Sequence, residues 1–246
     1  MIILYKEPRW DALRATLFGK FYESIVANYF KYVRKFEVYD QGIAVYVDWL
    51  DDIERLRKRI EEIRREDIKK LYGIEEKDLE KIQERFERDI NDLKKENEKL
   101  KKKGKEGRRF NPDLVVEKEG KFYVVEMQVW PVWLKQRHRS AKLTWDIVRD
   151  EGVAIIPRIL ASKVKVQGKV HDVTGFYYVS LSRSQDHEKI ERFFKELTKR
   201  DLKIWYLEDI VRESKNYDWF KFLLGKVRRE VIDLIDKLEQ GKVKIA

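Results

Sequence analysis

NPDLVVEKEGKFYVVEMQVW, residues 111–130, reads as two β-strands joined by a tight turn at Glu119-Gly120. Pro112 biases the backbone at Asn111 toward an extended conformation, and Asp113 then opens the first strand. Glu126 and Gln128 lie two apart on the second strand, so they share one face. Folding at the turn brings Asp113 near Glu126. Two carboxylates converging at a strand end suit a hard cation such as Mg²⁺, with Mn²⁺ able to substitute, because both bind through oxygen. A metal held there lowers the pKa of a bound water and screens phosphate charge. Glu126 interrupts the apolar run YVVEMQVW, where a charge on the inward-leaning face is costly without a partner.

Upstream, residues 10–33 carry Leu13, Leu17, Phe21, Ile25 and Val26 at helical spacing, which predicts an amphipathic helix. FEVYDQGIAVYVDWL, residues 36–50, is rich in β-branched and aromatic residues and broken at Gln41-Gly42, so it reads as a strand or hairpin. Downstream, the pattern predicts a helix at about 132–150, a strand at 152–160 and strand-like segments through GFYYVSLS. Helices near 184–200, 206–213 and 216–239 follow. The last has an apolar stripe of Phe220, Leu223, Leu224, Val227, Val231 and Leu234 or Ile235. That stripe either covers the sheet or forms a homodimer. The order of elements is an α/β plan.

Residues 51–107 differ in character. Ile53, Leu56, Ile60 and Ile63 form one stripe, and Leu79, Ile82, Phe86, Ile90, Leu93 and Leu100 form a second, with charged residues between. Gly73 lies between the two segments, where a helix C-terminal glycine is expected. The reading is a long antiparallel coiled-coil helical hairpin, with arms of roughly 30–40 Å, projecting from the α/β core. The core is then split, 1–50 and 108–246, by an insertion at 51–107.

Pro112-Asp113, a β-hairpin, and Glu126-Met127-Gln128 on an apolar strand together resemble the PD-(D/E)XK nuclease superfamily, whose motif is Pro-Asp followed by Glu-x-Lys. FGKFYESIVANYF resembles the first helix of its archaeal Holliday-junction-resolvase-like and restriction-type members, with Gly19 and Glu23 in a Gly-x-x-x-Glu arrangement. The resemblance covers roughly residues 12–50 and 108–180. It implies a restriction-endonuclease-like core of a helix, three strands, a helix and a strand. It also implies Asp113 and Glu126 as metal ligands, Glu23 as a third acid, and a homodimer matched to a two-fold-symmetric substrate. The chain departs from the motif at Gln128, which replaces the lysine. Gln cannot act as a general base, but it can position a water.

Charged residues make up 41% of the chain, with no Cys and a net charge of +10. The absence of Cys excludes disulfides, thiolate nucleophiles and Cys-ligated metal centres. High Lys, Arg and Glu content fits the ion-pair-rich surface of a hyperthermophile protein. The N-terminal sequence does not read as a signal peptide, and no apolar run is long enough to span a membrane, so a soluble intracellular protein is expected. The basic balance favours a polyanionic partner. Lys101, Lys102, Lys103, Lys105, Arg108 and Arg109 have only Glu106 among them and read as phosphate contacts leading to Asp113. Lys135 and Arg137, on the helix after the motif, are candidates for further nucleic-acid contacts, and Gln136 or Lys135 for the role of the absent lysine. Trp130, Trp133 and Trp145 read as core, and His138, His171 and His187 lack metal-ligand spacing. The expected function is a Mg²⁺-dependent endonuclease acting on DNA, including branched or structured DNA. The alternative is a nuclease-fold protein that binds nucleic acid without cutting it and docks a partner through its helical arm.

Overall fold

The computed structural model describes residues 21–64, 67–128, 160–180 and 187–239. The expected helix at 132–150, nearly all of the strand at 152–160, and Leu13 and Leu17 lie outside those residues. A helix at residues 21–28 continues into a π-helical turn, Tyr29–Val33; together they are α1. Strands β1 (Glu37–Tyr39) and β2 (Ile43–Tyr46) follow, then helices α2 (Ile53–Arg64), α3 (Ile68–Tyr72) and α4 (Glu76–Lys102). Next come β3 (Arg109–Phe110), β4 (Leu114–Lys118), β5 (Lys121–Gln128), β6 (Lys163–Val166) and β7 (Lys169–Ser180). The described chain closes with α5 (His187–Thr198), β8 (Asp201–Tyr206), α6 (Leu207–Ser214) and α7 (Asp218–Glu239).

The eight strands form one curled, mixed sheet, ordered β1-β4-β5-β7-β6-β2-β3, with β8 also on β7. β7 is long enough to serve both halves. Its first residues pair antiparallel with β6, and Val173–Ser180 pair parallel with β5. β8 runs parallel to β7 on the other side. Gly175 leaves β8 room to pack here: a Cβ there would lie 2.5 Å from the Asp201 carbonyl oxygen.

Strand alternation sorts the core into two layers. Val115, Val124, Phe176 and Tyr178 point to one face, where α2, α3, α4 and α5 cover them. Leu114, Val116, Val125, Tyr177 and Val179 point to the other, under α1, α6 and the start of α7. The expected α/β plan is therefore present as a mixed sheet flanked by helices. Among the described residues, no helix is long and apolar enough to cross a membrane.

Three local expectations differ from the structure. Residues 36–50 hold two strands, but Gln41-Gly42 does not fold them onto each other. β1 pairs with β4, and β2 with β6 and β3. DLKIWY, residues 201–206, is a strand in the gap left between the helices expected at 184–200 and 206–213. On α7, Phe220 is buried, but Leu224 is 44% exposed and lies off the packed face.

The fourth difference is larger. Helices α2 and α4 exist, and Gly73 does cap α3 in a left-handed conformation, φ 67°, its N–H donating to the Lys69 carbonyl. The helices pack on each other, but not on each other alone. Ile53, Leu56, Ile60, Ile63, Leu79, Ile82, Phe86 and Ile90 belong to the same buried layer as Val115 and Tyr178. Phe86 meets Phe194, and Tyr72 meets Phe193, both on α5. The apolar stripe was legible, but it is covered by the body of the protein rather than by a partner arm alone.

One buried ionic hub ties the helical segment to the sheet. The Asp51 side chain is fully buried and pairs with Arg55, Arg59 and Arg200. Arg200 also donates to the carbonyls of Ala161 and Leu160. Burial first, then the neighbouring Arg55 and Arg59 charges, pull the Arg200 guanidinium down to about 10. Removing the Asp51 carboxylate leaves the Arg55, Arg59 and Arg200 guanidiniums without the anion they share, with only Glu62 acting on Arg59. Asp51→Ala is therefore expected to lower stability by about 3–5 kcal/mol, read as a fall in the urea midpoint. An unchanged midpoint would show the hub to be energetically idle.

Candidate active site

The β4–β5 hairpin closes as expected through Glu119 and Gly120, both left-handed at φ 55° and 75°, which fixes Lys118 opposite Lys121. The register then runs Leu114 opposite Val125, so one further step places Asp113 opposite Glu126. Asp113 lies in the bend just before β4, and strand alternation gives Glu126 the face of Val124. The Met127 N–H donates to Asp113 Oδ2 at 2.7 Å, which pins that carboxylate across the end of the hairpin.

Glu126 is only 4% exposed. Its neighbour in register on β7 is Tyr178, which is also buried. Burial pushes the Tyr178 phenol well above its ordinary value, and the charges of Glu126 and then Asp113 push it further. Tyr178 therefore keeps its proton at neutral pH and faces two carboxylates across a low-dielectric wall. Gln128 ends β5, in register with Ser180. The pair lies toward the carboxyl ends of the parallel strands β5, β7 and β8, where open α/β sheets bind ligands.

Asp113 also lines an open cleft of about 600 Å³ between α1, the end of β1 and the start of β4. Glu23 lines the same cleft, so the first-helix glutamate and the hairpin aspartate share one opening. Asp40 and Lys31 line it too. Neither was singled out from the sequence: Asp40 sits in an unremarkable turn, and only the β1–β4 pairing brings it beside Asp113. Lys31 is the one basic residue among the cleft's described lining. Glu126, which is buried, is not part of that lining. No group of three or more His, Asp or Glu side chains close enough to hold a metal occurs among the described residues. The structure thus brings Asp113 and Glu126 together, and Glu23 and Asp113 together, as two overlapping pairs.

The basic run is exposed but divided. Lys101 is paired with Asp48 at 2.6 Å and Arg108 with Glu96 at 3.3 Å, so these two serve the fold. Asn97 is buried and ties the loop down, accepting from the Arg108 N–H and donating to Asp48. Lys102, Lys103, Lys105 and Arg109 are exposed, without an ion pair among the described residues. Lys135, Gln136 and Arg137 lie outside the described residues. No protein-family model matches the chain, and no curated protein and no solved structure does either.

Proposed function

We propose that the chain is a metal-dependent nuclease that hydrolyses phosphodiester bonds in nucleic acid, with DNA the first candidate substrate. The observation that carries this reading is the facing of Asp113 and Glu126 across β4 and β5, with Glu23 lining the cleft that Asp113 opens into. The order α1, β1, β4, β5, with β7 parallel to β5, supports a restriction-endonuclease-like core. Asp113 and Glu126 supply hard oxygen donors, and residues 111–128 carry no His or Cys beside them. That donor chemistry fits Mg²⁺ or Mn²⁺. Such an ion, when held there, would supply an activated water and charge neutralisation at the phosphate. Asp113 is held in place for this by the Met127 N–H, and Tyr178 closes the inner wall against bulk water.

Gln128 favours a second reading, in which the fold binds nucleic acid without cutting it, because the glutamine brings no cation to the reacting phosphate. One experiment separates the two. Duplex, single-stranded and branched DNAs are incubated with the protein and Mg²⁺ or Mn²⁺, with EDTA as control. Cleavage in metal and none in EDTA supports the nuclease; binding with no cleavage of any substrate supports the second reading.

A further inference from the structure

Away from the acidic pair, the short strands β3, β2 and β6 form the curled edge of the sheet, and their outer face has its own chemistry. Val45, Val164 and Val166 point inward and are buried. The more exposed residues lie on the other face. Tyr46 stands opposite Arg109 and Lys163 opposite Asp172, while Lys165 stands opposite Ala44, which is itself buried. The Lys165 Nζ lies 5.9 Å over the Tyr46 ring, which places both side chains on the same face. Tyr46 meets Trp49 edge-on at 4.7 Å between ring centroids, and both rings are half-exposed. Val170, opposite Lys165, is 53% exposed and leaves that part of the face uncovered.

The loop carrying Lys102, Lys103 and Lys105 adjoins this face, because Asn97 and Asp48 hold the end of α4 against the turn that contains Trp49. Lys102, Lys103, Lys105, Arg109, Lys163 and Lys165 together face two carboxylates, Asp172 and Glu106, the latter held by the Tyr46 hydroxyl. A face with this excess of cations repels cationic partners and attracts a polyanion. Aromatic rings set among the cations distinguish the polyanion. Phosphates need only charge, but exposed bases also need a ring to stack on, and a single strand offers both.

We infer that the β3–β2–β6 face, with the Lys102–Arg109 loop, binds single-stranded nucleic acid: Arg109, Lys163 and Lys165 take phosphates, and Tyr46 with Trp49 takes a base. The contacts named do not include Asp113 or Glu126, and the binding does not depend on hydrolysis.

The test is fluorescence anisotropy of a labelled oligo-dT bound to the full chain in EDTA, titrated over a range of salt. Replacing Arg109, Lys163 and Lys165 together by Gln is expected to weaken binding about tenfold or more. It should also flatten the dependence of log affinity on log salt by about 2, as loss of three phosphate contacts requires. Tyr46→Ala is expected to weaken binding roughly 5- to 100-fold while leaving the salt slope unchanged, the signature of lost stacking. Circular dichroism confirms that each variant is folded. The inference is overturned if the triple variant binds oligo-dT as tightly as the parent. It is also overturned if polyglutamate or anionic phospholipid vesicles bind as tightly and with the same dependence on Tyr46. Because metal is absent throughout, failure of the nuclease reading would leave these results unaffected.

Discussion

Asp113→Ala and Glu126→Ala are each expected to lower metal-dependent cleavage by at least about 10²–10³-fold, the scale of losing one preorganised electrostatic contributor. Both should still bind DNA, and removing a carboxylate near a phosphate is expected to leave binding equal or slightly tighter. The two variants differ in their stability. Asp113 is partly exposed and accepts a backbone hydrogen bond from Met127, so its loss orphans that N–H. Glu126 is buried beside Tyr178, so Glu126→Gln is the cleaner probe, preserving volume while removing charge. Gel-resolved cleavage and anisotropy, run on the same preparations, separate chemistry from binding. If both variants cut like the parent, the metal-binding site lies elsewhere.

Excising residues 53–102 and joining the ends with a Gly/Ser linker is expected to abolish cooperative folding. Helices α2, α3 and α4 supply much of the layer that covers one face of the sheet, including Leu56, Ile60, Ile82, Phe86 and Ile90. Without them Ile190, Phe193, Phe194 and Leu197 on α5 lose their cover. Losing a single buried Phe to Ala costs about 3–5 kcal/mol, against a total stability of about 5–15 kcal/mol. Phe86→Ala alone should therefore shift the urea midpoint strongly, and the excision should leave no sigmoidal transition. A linker variant that unfolds cooperatively near the parent midpoint would show that the helical segment is an independent arm after all.

How far the sequence could be read depended on how local each signal was. The β4–β5 hairpin and the opposition of Asp113 and Glu126 were legible because a two-residue turn and strand alternation fix that register within twenty residues. The stripes of α2 and α4 were legible as apolar faces. What covers them was not, because Phe193 and Phe194 arrive about a hundred residues later and leave no trace in the helical pattern itself. β1 and β2 illustrate the same limit. They read as a hairpin because they are adjacent, yet β2 pairs with β6, across more than a hundred residues. β8 was hidden for another reason: a few residues between two strongly amphipathic helices read as a mere connection. Asp40 entered the cleft only through the β1–β4 pairing, and Lys31 only because it follows Glu23, Ala27 and Asn28 along α1; no short motif marks either.

The most direct test of the acidic pair as a metal site is a crystal structure of the full chain soaked in Mn²⁺, with anomalous scattering used to locate the ion. The account predicts an anomalous peak contacted by carboxylate oxygens of both Asp113 and Glu126, lost in crystals of Glu126→Gln. Mn²⁺ bound only elsewhere, or a peak unaffected by Glu126→Gln, would contradict it.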